Sequence, residues 1–277
     1  MRTAQAAESR NAPGAPSAPQ KTGVLFISSA EEPGADTFIH TLIMRSLDRR
    51  LFDVHVACPT GKPGARPPAH AVLTHIPDLH IRSANFGPSL SGRSGLDKAV
   101  RLASGAVTAA SFIGLAGYVR RHHITVLHST DRPRDAVACA LLGRLTGARS
   151  IIHCHLQCAD WMGRALRRSM GQVNGLLAIS RFVAQSLVDN GYMPDRIHVV
   201  LNAIDVPAWD YRLDGTPIRR EFRIASSAPV IACAARLFRG KGQDEVIRAL
   251  PVVRQEFPDV RVLIIGGDDL QAMRTSF

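Results

Sequence analysis

VIACAARLFRGKGQDEVIRALPVVRQEFPDVRVLIIGG, Val230 to Gly267, is the stretch from which the fold of this chain is read. Val230 to Ala235 is an apolar run too short for a helix, set between Pro229 and Arg236, and predicts a buried strand. Phe238 to Gly242 forms a Gly-containing turn. From Asp244 to Glu256 the apolar residues Val246, Ile247, Leu250 and Val253 recur at helical spacing, and Pro258 closes the helix. Val260 to Ile265 is a second apolar strand, ending in Gly266-Gly267-Asp268-Asp269. The sum is a βαβ unit with two cations, Arg236 and Lys241, at the carboxyl end of its first strand. Ligands of open parallel sheets bind at that end. Fixed cations beside glycines there suit a phosphate or diphosphate. The plainer alternative is a turn whose cations are simply solvated.

RLFRGKG, a helix and then VLIIGG resembles the second-domain entry motif of the GT-B glycosyltransferases, specifically the retaining family 4 (glycosyl transferases group 1). The resemblance implies that Arg236 and Lys241, matching R-x-x-x-x-K-G, hold the diphosphate of a nucleotide-sugar donor. It also puts Gly266 among the donor-binding positions. Upstream, AISRFVAQSLVDNGYMPDRIHVVLNAID (178–205) is similar to the end of the family's first domain, with Ala203 in place of the Gly of N-G-V/I-D. There the spacing predicts a strand over Gly175 to Ile179, a helix carrying Phe182, Val183 and Leu187, an Asn190-Gly191 stop and a strand over Ile197 to Leu201. By resemblance Asn202 binds at the cleft edge. An Asx turn shared with Asp205 is equally compatible.

At the other end of the chain, Val24 to Ile27 predicts a strand, Ser28 to Asp36 a loop, and Phe38, Leu42, Ile43 and Leu47 a helix. Phe52 to Ala57 follows as a nearly alternating strand. This order opens a doubly wound α/β domain. Family 4 carries G-G-A-E at the loop, and this chain has Pro33-Gly34-Ala35-Asp36. The resemblance implies that Gly34 lets the backbone approach the donor or acceptor. The alternative is an ordinary βα turn with Asp36 as N-cap.

Between these ends, Gly61 to Gly95 predicts loops with one short strand near Val72 to Ile76. Leu96 to Arg121 predicts a helix, Ile124 to His128 a strand, Asp135 to Thr146 a helix stopped by Gly147, and Ser150 to His153 a strand. The last strand runs into Cys154-His155-Leu156-Gln157. By resemblance His155 lies against the donor sugar, with His153 as the fallback. His153, Cys154, His155 and Cys158 raise a metal site, but zinc spacing asks for a second ligand pair that the sequence does not display. GT-B enzymes need no metal for their chemistry. The expected ligands are therefore a UDP- or GDP-sugar donor and no metal or other cofactor. Arg164, Arg167 and Arg168 form a basic helical face, either solvated or suited to a membrane surface or polyanionic acceptor.

The chain has 277 residues, 45% hydrophobic and 21% charged, which suits a globular protein of two domains. A formal net charge of +11 admits nucleic acid, anionic membranes or phosphorylated substrates. Only 5% of residues are aromatic and no basic stretch is interleaved with them, which argues against single-stranded nucleic acid. Five cysteines, an odd number in a long chain, fit a reduced cytoplasmic setting. Residues 1–20 lack an apolar signal core. Ala103 to Val119 is short and weakly hydrophobic for a membrane span.

The expectation is an α/β, GT-B-like chain: a disordered tail over 1–20, a doubly wound Rossmann-like acceptor-side domain over 21–205, a linker over 206–228 and an incomplete second Rossmann-like domain over 229–277. The family's paired-glutamate segment finds no place after Gly267, so the second domain reads as truncated. By resemblance the chain moves a sugar from a nucleotide sugar to a glycan, lipid-linked or small-molecule acceptor, with retention. The alternative is a non-catalytic remnant that binds an acceptor, a partner or a membrane surface.

Overall fold

The computed structural model describes residues 21–31, 33–59, 68–87, 98–206, 212–237 and 240–267. The expected tail over 1–20, much of the 61–95 loop region, part of the linker, turn residues 238–239 and Asp268-Asp269 lie outside them. The chain divides into two compact units, Met1–Asp205 and Val206–Phe277.

The first unit is built on seven parallel strands: β1 (Thr22–Ile27), β2 (Phe52–Pro59), β3 (Leu79–Ala84), β4 (Ile124–Thr130), β5 (Arg149–Cys154), β6 (Gly175–Ala178) and β7 (Ile197–Val199). Their order is β3-β2-β1-β4-β5-β6-β7. Strand order reverses between β1 and β4, so the chain leaves those two neighbours in opposite directions and opens a crevice at their carboxyl ends. Helices α1 (Ala35–Ser46) and α2 (Pro68–Leu73) cover one face with Val24, Phe26, Val54 and Val56. Helices α3 (Lys98–Arg121) and α4 (Pro133–Thr146) cover the other with Leu25, Ile27 and Leu127. Around β5 and β6 the core continues into α5 (Arg164–Met170) and α6 (Arg181–Asp189). Gly147 ends α4 in the left-handed region at φ 79°, and Ser180 caps α6 by accepting the Val183 N–H. No helix among the described residues is long and apolar enough to cross a membrane.

Three local expectations are corrected. Val72 to Ile76 is not a strand: it finishes α2 and its turn, because Ala69, Leu73 and Ile76 recur at helical spacing and are buried. The strand of this region is β3, where mixed polar residues sit on a sheet edge. Strand β2 does not alternate. Residues 54–58 are all buried, because helices cover both faces of a parallel sheet. Of the apolar residues expected on α1, Ile43 and Leu47 pack partly buried against the core, but its fully buried positions are mostly polar. Phe38 is 50% exposed, whereas Thr37, His40, Thr41 and Met44 are buried. Met44→Ala should therefore cost about 2 kcal/mol. Phe38→Ser should change stability by less than about 0.5 kcal/mol. Urea unfolding of both variants checks the face assignment.

The second unit contains α7 (Thr216–Glu221), β8 (Val230–Ala234), α8 (Gln243–Glu256) and β9 (Arg261–Ile265), with β8 and β9 paired in parallel. The expected βαβ unit is present, but β8 is not the buried strand expected, since all its residues are half-buried or exposed. The core of the unit is thin: α8 has no buried residue, and Val246, Leu250 and Val253 are half-buried.

Candidate active site

The crevice of the first unit is lined by what β1, β4 and β5 carry at their carboxyl ends. After β4 comes Asp131, buried, whose Oδ2 accepts the backbone N–H groups of His155 (2.9 Å) and Leu156 (3.0 Å). These two bonds fix the loop that presents His155. Burial raises the Asp131 pKa against the pull of the same bonds. Asp135, in the first turn of α4, accepts from the Ser29 N–H (2.7 Å) and the Thr130 hydroxyl (2.8 Å). One carboxylate thus joins the ends of β1 and β4.

Gly34 occupies the N-cap position of α1, and its carbonyl accepts the Phe38 N–H at 2.9 Å. Asp36 is therefore not the cap. It lies inside the first turn, accepts the Thr37 N–H (2.9 Å) and forms a two-pronged ion pair with the Arg132 guanidinium. Burial pushes the Asp36 carboxyl up, yet the Arg132 hydrogen bond and charge outweigh it and hold the pKa below its ordinary value. A Cβ on Gly34 would meet the Asp36 Oδ1 at 2.8 Å and the Arg132 Nη2 at 3.1 Å, so the loop packs closely over this pair.

His155 is half-buried, and its Nε2 has no hydrogen-bond partner. Its ring lies 4.4 Å from that of His153 and 5.9 Å from that of His40. Burial lowers its pKa, against the nearby carboxylates of Asp131 and Asp36. Cys154 and Cys158 point into the core with Met162 and Leu166, away from these rings.

In the second unit, Arg236 and Lys241 are exposed on the turn that follows β8. Gly240 and Gly242 flank Lys241 at φ 85° and 88°, a region that a Cβ disfavours. The Gln243 side chain closes the turn by donating to the Arg236 carbonyl at 2.9 Å. Gly266 packs against the same turn. Asp244 and Glu245 occupy the first turn of α8, so the positive charge on offer to an anion comes from Arg236 and Lys241 more than from the helix end.

The structure thus gathers Gly34 and His155 at one crevice, and Arg236, Lys241 and Gly266 at one turn. Asn202 joins neither group. It is exposed after β7, the edge strand separated from β5 by β6. Of the basic helical face, Arg167 is tied to the Met162 and Ala159 carbonyls and to Asn190, while Arg164 and Arg168 are exposed. Sequence reasoning assigned no individual role to His40, His128, Asp131, Arg132 or Asp135. The polar residues that end β4 were the available signal for Asp131.

The family model described as Glycosyltransferase Family 4 matches residues 34–207. A GDP-mannose-dependent alpha-(1-6)-phosphatidylinositol monomannoside mannosyltransferase of Mycolicibacterium smegmatis is 30% identical over 141 residues, covering 48% of this chain and 37% of that protein. The alpha-maltose-1-phosphate synthase of the same organism is 26% identical over 240 residues, covering 83% of this chain and 56% of that protein. The chain therefore spans less than two thirds of the length of these relatives. Among solved structures, Anabaena HepE in complex with UDP-glucose superposes with a TM-score of 0.68 at 16% identity, over 91% of this chain and 62% of that one. UDP-GlcNAc 2-epimerase from Neisseria meningitidis, bound to UDP-GlcNAc, gives 0.56 at 11% identity, over 92% and 68%. Both likenesses concern the fold.

Proposed function

This chain belongs to glycosyltransferase family 4, and from that premise we propose that it transfers a sugar from a nucleoside-diphosphate sugar to an acceptor hydroxyl with retention. The observation that carries this reading is the turn after β8, where Arg236 and Lys241 are presented by glycines in left-handed geometry. Such a turn can take a diphosphate through charge-assisted hydrogen bonds. In the reaction the bond from the anomeric carbon to the diphosphate oxygen breaks and a bond to the acceptor oxygen forms. The acceptor proton leaves with the diphosphate. Arg236 and Lys241 stabilise the charge that develops on that leaving group, which is electrostatic catalysis of the oxyanion-hole type. The two side-chain cations fill this role without a metal ion. His155 contacts the donor sugar, and Gly34 lets the backbone come close. The names of the relatives make GDP-mannose the first donor to try, with UDP-glucose beside it.

The test is calorimetric titration with UDP, GDP, UDP-glucose and GDP-mannose, on the chain and on an Arg236→Ala/Lys241→Ala double variant. Micromolar binding that weakens at least about tenfold in the variant is expected, given about 1.5–3 kcal/mol per charged hydrogen bond. Turnover and the anomeric configuration of the product, read by NMR, then check retention. No binding of any nucleotide would overturn the donor-site assignment and leave a protein that binds an acceptor, partner or membrane without transfer.

A further inference from the structure

Three histidines from three separate elements meet beneath the crevice of the first unit. His40 comes from α1, His128 from β4 and His153 from β5. They are 3%, 7% and 1% exposed. Nitrogen atoms from the three rings, one per residue, lie within 4.8 Å of one another. Ring centroids stand 4.7 Å apart for His40 and His128, and 5.6 Å from each to His153.

Buried polar atoms are normally partnered, and an unpartnered one is costly. Here His40 Nε2, His128 Nε2 and both ring nitrogens of His153 have no hydrogen-bond partner. The contrast lies within the same unit. Buried His55 uses one ring nitrogen on the Tyr118 hydroxyl (2.8 Å) and the other on the Asp53 carboxylate (3.0 Å). Burial, reinforced by repulsion from neighbouring imidazoles including His155, pushes His128 down to about 3 and His153 down to about 4, and lowers His40 well below its usual value. All three imidazoles are therefore neutral near pH 7, the form that offers a lone pair.

We propose that His40, His128 and His153 form a binding site for one borderline transition-metal dication, Zn2+ foremost. Imidazole selects Zn2+ and its neighbours, whereas Mg2+ and Ca2+ require oxygen ligands that this cluster lacks. Three histidines with a fourth position open is a recurrent zinc ligand set. Zinc–nitrogen bonds of about 2.0–2.1 Å bring nitrogens to roughly 3.4 Å, so the rings close by about an ångström through small side-chain rotations. The charge of Arg132, which acts on His40, is balanced by its ion pair with Asp36. Bound metal would clamp α1 to the ends of β4 and β5. The site adjoins the proposed donor site, since the His153 ring lies 4.4 Å from that of His155, but it uses none of Arg236, Lys241 and His155.

The test uses the full chain, stripped with a chelator and titrated with Zn2+ by calorimetry. The expected result is one Zn2+ per chain and a rise in Tm on saturation. Both should be lost in His40→Gln/His128→Gln and kept in His80→Ala/His122→Ala, which alters the other histidine group. X-ray absorption at the zinc edge of the unmutated chain counts ligands even if the first variant fails to fold, and three imidazoles are expected. No saturable binding, unchanged affinity in the His40/His128 variant, or fewer than three imidazoles on the bound zinc would each overturn the proposal.

Discussion

Gly266→Ala should separate the ends of β8 and β9 and abolish amide-exchange protection at Ala235 and Leu237. A Cβ at this position would overlap the Ala235 carbonyl oxygen and stand 2.9 Å from its carbon. No rotamer relieves a clash with backbone. The Ala235–Arg236 peptide that carries this oxygen cannot turn away freely, because the pairings on either side hold it, Ala235 N–H to the Ile265 carbonyl at 2.9 Å and Leu237 N–H to the Gly267 carbonyl at 3.2 Å. Ordinary overpacking costs about 1–3 kcal/mol, and here the cost should exceed about 3 kcal/mol because both partners are main chain. Gly267→Ala is the control. A Cβ there meets nothing within 4 Å, so exchange at both amides should stay as it is. Equal protection in the two variants would mean that the strands do not approach as described.

The second large effect is expected at Asp135, the fully buried carboxylate joining Ser29 and Thr130. Asp135→Ala leaves the Ser29 N–H and the Thr130 hydroxyl without their acceptor inside the core, at about 1–3 kcal/mol each. The expected loss is about 3 kcal/mol near pH 5, equivalent to roughly 6–12 °C in Tm for a unit of this size. Burial outweighs both hydrogen bonds and pushes the Asp135 pKa from 3.8 to about 6. The folded state therefore holds a proton that the unfolded state has already released. The contribution of this group is present in full below the unfolded pKa and declines as pH rises through about 6. Between about pH 5 and about pH 7.5 the difference between the chain and its Ala variant should shrink by roughly 1.4 kcal/mol. Asp135→Asn keeps an acceptor for Ser29 and a partner for Thr130. It should cost less than about 1 kcal/mol and lose this pH dependence. Urea unfolding at the two pH values measures all of it. A difference that grows with pH would show that Asp135 is held ionised.

The legible parts of the fold were those written in local periodicity. Val230 to Ala235, Val260 to Ile265 and Val24 to Ile27 are apolar runs bounded by turn residues, and each is a strand. Asp135 to Thr146 is helical and stops at a glycine whose φ of 79° explains why a glycine stands there. The turn that presents Arg236 and Lys241 was legible as a turn because its glycines lie close together along the chain. Helix α1 was legible as a helix but not in its orientation. Phe38, Leu42, Ile43 and Leu47 recur at helical spacing, yet Phe38 is exposed and His40 and Met44 are buried, with Ile43 and Leu47 packed partly buried beside them. Phe26 and His128 present a stacked pair at 4.8 Å on the sheet there, and His40 packs edge-on to Phe26 at 5.6 Å. A flat, partly polar surface of that kind accepts an imidazole.

By itself the sequence determined the α/β class, the positions of most strands and helices, and the basic turn after β8. Each of these depends on residues close together along the chain. Tertiary structure decided which strands are neighbours, which helix faces are covered, and that Asp135 reaches back to Ser29 while Asp36 meets Arg132. It also decided that His40, His128 and His153 share one buried space. Hydrophobic periodicity carries no term for contacts made across a hundred residues. Those contacts exist only once the parallel sheet has closed and brought the carboxyl ends of β1, β4 and β5 side by side.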